Sequence, residues 1–213
     1  MKKIKIKICG LNDQFNAAEV AYLQPDYMGF ILYSGSPRYV SQKLAEVIIR
    51  NLPCSIQKVG VVVNEPFEKA LKIAQSGIFD LLQLHGNENP DYCRKLSRDI
   101  RLIKAFSLSD VLPSDLSDYN DSCEMFLFDT AGVKYGGNGR SFDHKILADY
   151  SLEKEYILSG GISSEHSTYI KTLNSERLAA VDLNSRFEVM PGIKDIKLLK
   201  FFMEKIREND TRN

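Results

Sequence analysis

An α/β fold, a single (β/α)8 TIM barrel, is predicted by three features of this 213-residue chain. Short apolar or β-branched runs recur eight times, segments with helical spacing of apolar residues lie between them, and no composition shift or Pro/Gly/Ser-rich linker divides the whole. The runs, in order, are IKIKIC from Ile4, YMGFIL from Tyr27, KVGVVV from Lys58, FDLLQLH from Phe79, RLIKAF from Arg101, EMFLFDT from Glu124, YILSGGI from Tyr156 and LAAVDLNS from Leu178. Of the segments between them, SQKLAEVIIRNL, EPFEKALKIAQSG and EHSTYIKTLNSE carry helical spacing, and KDIKLLKFFMEKIRE near the C-terminus supplies the closing helix. Steps of about 25 residues are the size of one compact βα unit, so the alternation runs strand, helix, strand, helix throughout and the strands pair in parallel. Residues 1–213 are read as one domain. An open doubly wound sheet is the structural rival, but no GxGxxG follows the first run.

Composition narrows the function. Lys+Arg and Asp+Glu both number 28, so no basic excess draws the surface to phosphate backbones or anionic lipid, and neither nucleic acid nor a membrane is an expected partner. The N-terminal MKKIKIKICG has no apolar signal core, and no stretch reaches the ~18 apolar residues of a membrane span; a cytoplasmic location is expected. Cys9, Cys54, Cys93 and Cys123 are scattered and form no CxxC pair, which argues against zinc, a dithiol redox site or a disulfide framework and for free thiols.

Side chains on a strand alternate between faces, so parity sorts the residues inside a barrel from those under its helices. Ile4, Ile6 and Ile8 share one face of the first strand, leaving Lys5, Lys7 and Cys9 on the other. The same alternation opposes Gln83 and His85 to Leu82 and Leu84, Asp129 to Phe126 and Phe128, and Asp182 and Asn184 to Val181 and Leu183. A closed barrel therefore collects Cys9, His85, Asp129 and Asn184 around the C-terminal mouth, where this fold carries its active sites. Cys9 is either a small core residue or, with Lys7 two residues back on the same face favouring its thiolate, a base. Asp182 is the expected counter-ion of Lys7, since a buried ammonium needs a partner. Asp129 is either an acid or a loop cap, and His85 either a site residue or a satisfied polar one. The loops SGGIS, with Gly160 and Gly161, and NSRFEVMPG, with Ser185, follow the last two strands, and AGVKYGGNGRSF follows the sixth; glycine lets backbone N–H groups approach an anion, so a phosphorylated ligand is expected.

Together, KIKICGL, GFILYSGSPRYVS, KVGVVVNEP, LLQLHGNE, IKAF, LFDT with GGNGRSFDH, LSGGI and AVDLNSRFEVMPGIKD resemble the phosphoribosylanthranilate isomerase family of tryptophan biosynthesis over almost the full chain. The resemblance implies a cofactor-free, metal-free barrel, monomer or homodimer, that turns N-(5-phosphoribosyl)anthranilate into 1-(2-carboxyphenylamino)-1-deoxyribulose 5-phosphate by an Amadori rearrangement. It makes Cys9 the general base and Asp129 the general acid, and it gives Arg38 to the anthranilate carboxylate, gripped by two parallel hydrogen bonds that a lysine could not match. His85, Gly160, Gly161, Asp182, Asn184 and Ser185 complete the expected substrate-binding set. The chain departs from the family pattern at Asn12, His144 and Arg186, the last close to the inferred phosphate loop. The sister isomerase of histidine biosynthesis is the rival enzyme, and a carboxylate in place of Cys9 would be its mark. A non-catalytic phosphosugar-binding barrel is the rival of another class, and it would have no use for an acid and a base.

Overall fold

The computed structural model describes residues 3–108, 111–130, 147, 149–173 and 176–208. Eight parallel strands close into a barrel in chain order: β1 (Lys5–Cys9), β2 (Tyr27–Ile31), β3 (Gln57–Val62), β4 (Leu81–Leu84), β5 (Arg101–Leu108), β6 (Met125–Thr130), β7 (Tyr156–Leu158) and β8 (Leu178–Leu183). Around it stand α1 (Gln14–Tyr22), α2 (Gln42–Ile49), α3 (Phe67–Ala74), α4 (Pro90–Leu96), α5 (Ser167–Thr172) and α6 (Ile196–Arg207). Each of the eight predicted strands is present.

Local chemistry explains where helices begin. The side chains of Asp13, Ser41, Asn89 and Asp195 each accept the backbone N–H three residues on, satisfying a donor that the first helical turn leaves without a partner. Pro90 follows Asn89 at the first helical position, where its missing N–H costs nothing. At the N-terminal rim, Asp26 accepts the Ile6 N–H at 2.9 Å and Asp80 accepts the Lys58 N–H at 2.7 Å, tying each connecting loop to the strand before it.

Parity holds through the barrel. Val59, Val61, Leu81, Ile103, Leu127 and Ile157 fill the interior, whereas Ile6, Ile8, Leu82, Phe126, Phe128 and Val181 pack outward into the larger core beneath the helices. Two departures from strict alternation stand out. Only a single 3-10 turn, Leu116–Tyr119, is described between β5 and β6, and Phe106 covers that sector by packing edge-on to Tyr119 and Phe126 at 5.3 and 5.2 Å. After β8, the stretch expected to be a plain glycine loop makes a 3-10 turn, Ser185–Phe187, and then an antiparallel hairpin of β9 (Glu188–Met190) and β10 (Ile193–Lys194). Gly192, at φ +91°, turns that hairpin; an added Cβ would stand 2.1 Å from Asn12 Oδ1. Asn12 thus packs against the hairpin.

All four cysteines are free, Cys54 exposed and the others buried. Among the described residues no helix is long and apolar enough to cross a membrane, and no cluster of His, Cys, Asp and Glu could hold a metal ion.

Candidate active site

Cys9 ends β1 with its side chain inward and almost wholly buried. Its partner in the β1–β2 register is Gly29, and a Cβ there would lie 2.6 Å from Cys9 Sγ, so only glycine leaves room for the sulfur. Lys7, one inward position earlier, is directly opposite Asp182 in the β1–β8 register and bonds to its Oδ1 at 2.8 Å; Ser159 Oγ donates to Oδ2 at 3.1 Å. The expected Lys7–Asp182 pair is present, and it alters the electrostatics of the thiol. Burial pushes the Cys9 thiol up, Lys7 and Lys194 pull it down and Asp182 opposes them, with a net rise above the ordinary value. Burial also pulls on the Lys7 ammonium, but Asp182 and then Cys9 hold it above its ordinary value. The expectation that Lys7 alone lowers the Cys9 pKa is therefore corrected: desolvation of a thiolate outweighs a cation whose charge Asp182 shares.

Across the mouth, Asp129 stands inward near the end of β6, and His85 Nε2 lies 3.3 Å from its Oδ2. Gln83, inward on β4 and 1% exposed, has Nε2 at 2.7 Å from His85 Nδ1. A cavity of about 350 Å³ opens beside these groups, bounded by His85, Ser107, Pro113 and Tyr119, and Ser107 is the register partner of Asp129.

Arg38, in the loop after β2, is 8% exposed and held rigidly, but by the protein itself. Its Nε lies 2.9 and 3.0 Å from the two carboxylate oxygens of Glu188, and its Nη2 lies 2.6 Å from Oε2. The two-pronged grip expected for a ligand carboxylate is thus made to Glu188, through Nε and Nη2. Lys194 donates to Glu188 Oε1 at 2.7 Å and to Asn184 Oδ1 at 2.9 Å. Burial pushes the Glu188 carboxyl up, yet Arg38 and Lys194 together hold it below its ordinary value. Asn16 of α1 clamps the backbone of Lys194 through both its amide groups, at 2.7 and 3.0 Å. Gly10 makes this cluster possible: an added Cβ would meet Arg38 Cδ at 2.7 Å and Asn184 Oδ1 at 2.8 Å.

Gly160 and Gly161, at φ +84° and +66°, turn the chain sharply after β7, a conformation that L side chains resist. Ser185 opens the 3-10 turn after β8, and Arg186 in the same turn is exposed. AGVKYGGNGRSF and His144 lie outside the described residues. Cys9, His85, Asp129 and Asn184 are gathered at the C-terminal end of the barrel as parity required. Parity also marked Gln83 inward without giving it a role. Glu188, Lys194 and Ser159 went unread, the first two because they act from a hairpin, where strand parity carries no information.

Fold and site define a (β/α)8 barrel of the enzyme class, with a thiol, a carboxyl and an imidazole gathered at one mouth beside glycine-turned loops. Known proteins agree with that class. The family model described as N-(5'phosphoribosyl)anthranilate (PRA) isomerase matches residues 6–205. A relative from Parabacteroides distasonis, N-(5'-phosphoribosyl)anthranilate isomerase, is 41% identical over 204 residues, 94% of this chain and 92% of its own. The crystal structure of phosphoribosyl anthranilate isomerase from Thermus thermophilus superposes with a TM-score of 0.85 at 28% identity, covering 97% of this chain and 100% of the other. A phosphoribosyl anthranilate isomerase in complex with reduced 1-(o-carboxyphenylamino)-1-deoxyribulose 5-phosphate superposes with a TM-score of 0.80 at 30% identity, covering 96% of this chain and 99% of that one. The chain belongs to the N-(5'-phosphoribosyl)anthranilate isomerase family. Its reaction is the Amadori rearrangement of N-(5'-phosphoribosyl)anthranilate, a step of tryptophan biosynthesis.

Proposed function

We propose that this rearrangement runs on Asp129 as general acid and Cys9 as general base, with the substrate strung between two anion anchors. Protonated Asp129 gives its proton to the furanose ring oxygen as the C1–O bond breaks, and the anilino nitrogen supplies the electron pair that makes the iminium at C1. The Cys9 thiolate then removes the C2 proton, whose electron pair forms the C1–C2 double bond of an enolamine and neutralises the nitrogen. Protonation at C1 and loss of the C2 hydroxyl proton complete the ketone. Each proton transfer contributes typically ~10² to 10⁴ in rate.

The observation that carries the reading is a thiol and a carboxyl standing inward at the C-terminal ends of β1 and β6, both largely buried. The backbone turned by Gly160 and Gly161, with Ser185 and Asn184, is assigned to the phosphate. The Nη1 side of Arg38 is assigned to the anthranilate carboxylate, with Glu188 holding the guanidinium in register. Asp182 acts through Lys7. A cytoplasmic protein acting without a metal or cofactor, as a monomer or homodimer, completes the reading.

Freshly made phosphoribosylanthranilate is expected to lose its anthranilate-type fluorescence when the protein is added. Cys9→Ala and Asp129→Asn are each expected to lower kcat by about 10² to 10⁴ at unchanged thermal stability. Full activity in either variant removes the role given to that residue.

A further inference from the structure

We infer that the buried pair of Lys104 and Glu88 is a positioning device for the rearrangement: it fixes the turn after β4 and so sets where the His85 imidazole stands at the mouth. The inference rests on the acid–base reading of that mouth. Lys104 alternates on β5 with the interior residues Ile103 and Ala105, so it leaves the sheet on the outer face, where it is 2% exposed. Its ammonium lies over the end of β4, 2.7 Å from Gly86 O and 3.3 Å from Leu84 O, the carbonyls on either side of His85. It also donates to Ala105 O and to Glu88 Oε2, both at 3.1 Å. The Glu88 carboxylate completes the grip: Oε2 accepts the Gly86 N–H at 3.0 Å, and Oε1 accepts the Asn64 N–H of the β3 loop at 2.8 Å. Asn64, at φ +49°, accepts the Asn87 N–H on its side-chain oxygen at 2.6 Å, and the His85 N–H bonds to Val62 O at 2.9 Å. The backbone is thus pinned at every residue from Leu84 to Asn87. Gly86 lets the turn lie flat on its support, since an added Cβ would stand 2.3 Å from Asn64 Oδ1.

Two facts separate positioning from binding and from plain stability. An ammonium has three protons, and Lys104 already faces four acceptors of the protein, which leaves none for a substrate even though the side chain borders the cavity. A buried ion pair is also a weak stabiliser beside apolar side chains of similar size, which its strand neighbours Leu102 and Phe106 supply on the same face. What the pair adds is direction. Charge-assisted hydrogen bonds hold a strand end that would otherwise loosen into its loop, and a misplacement of about 1 Å at a reacting centre can cost about 10²-fold in rate. Lys104 and Glu88 therefore act on the reaction through His85.

A double-mutant cycle on kcat/KM tests this. Lys104→Met is expected to lower kcat/KM about tenfold in the parent but less than about twofold in His85→Ala, because the imidazole it positions is already gone. Its loss of thermal stability should be the same in both backgrounds. Glu88→Gln, which keeps the shape and one acceptor, should fall between the parent and Lys104→Met. Equal losses of kcat/KM in the two backgrounds overturn the inference, since a merely loosened fold would lower both alike, and so does a His85→Ala protein as active as the parent. The parent alone supplies a check that needs no variant to fold: its Gly86 and Asn87 amide protons should exchange with solvent at least about 10²-fold more slowly than in an unstructured peptide, and unprotected amides overturn the clamp. Full activity in Cys9→Ala and Asp129→Asn would instead remove the acid–base reading, while the cycle still decides whether Lys104 works through His85.

Discussion

At the scale of single residues, the thiol is the group whose chemistry differs most from its ordinary behaviour. Gly29 opposite Cys9 lets the sulfur sit inside the barrel, and that burial disfavours the charged form a base must adopt. Lys7 is close enough to favour the thiolate, but it is shared with Asp182, which also receives Ser159. The protein thus holds a base that is mostly protonated at neutral pH, with the cation needed to stabilise its deprotonated form already beside it. The sign of the pH effect follows: the thiolate fraction grows about tenfold per pH unit until pH reaches a pKa above the ordinary 9.0. Thiolate absorbance near 240 nm, taken as the difference between the parent and Cys9→Ser, should therefore not reach half its limit before pH 9. A midpoint near pH 7 would mean that Lys7 outweighs burial after all.

Among the elements, the β9–β10 hairpin is the one whose importance exceeds its size. Glu188 at its start holds Arg38 of the β2 loop and Lys194 of its own second strand, while Asn16 of α1 grips the Lys194 backbone and braces the cluster from a helix. Removing one partner of a buried ion pair leaves the other charge uncompensated, at a cost of about 3–5 kcal/mol. Glu188→Gln should lose stability in that range at pH 7 and raise KM through a loosened Arg38. Because the folded carboxyl titrates below its ordinary 4.5, its stabilisation is present above that pH and is lost as pH falls through the folded pKa. Urea unfolding of parent and variant should thus differ at pH 7 and converge well below pH 4.5, and an equal gap at both would show that the effect is not ionic. This element also shows where a linear chain stops being readable. The eight strands were legible because β-branched runs recur at one βα step, and the inward faces because parity survives folding. Arg38 and Glu188 are 150 residues apart and neither belongs to a barrel strand, so nothing local couples them. The β5–β6 connection was misread as a helix for a related reason: aromatic packing by Phe106 does there what an amphipathic helix does elsewhere.

For the molecule as a whole, the barrel exists only if its last strand returns to its first, and the seam carries a buried charge pair. Lys7 and Asp182 are register partners 175 residues apart, 2.8 Å from each other and both sealed from solvent. A shift of the β1–β8 register by one residue would turn Lys7 toward an outer face filled by Val181 and Leu183, so the pair opposes mispairing as well as joining the ends. Its value to stability is a separate matter, because desolvating two charges offsets most of their attraction. Lys7→Met should cost about 3–5 kcal/mol in urea unfolding by stranding Asp182, and Asp182→Leu a similar amount by stranding Lys7. The double variant should recover most of either loss, since two apolar side chains suit an interior already lined by Ala180, Ile157 and Tyr27. The same double variant should be nearly inactive, because Cys9 then loses the ammonium that favours its thiolate. Additive losses would mean that the pair is not coupled in the folded state, and retained activity would mean that the base draws nothing from the seam beneath it.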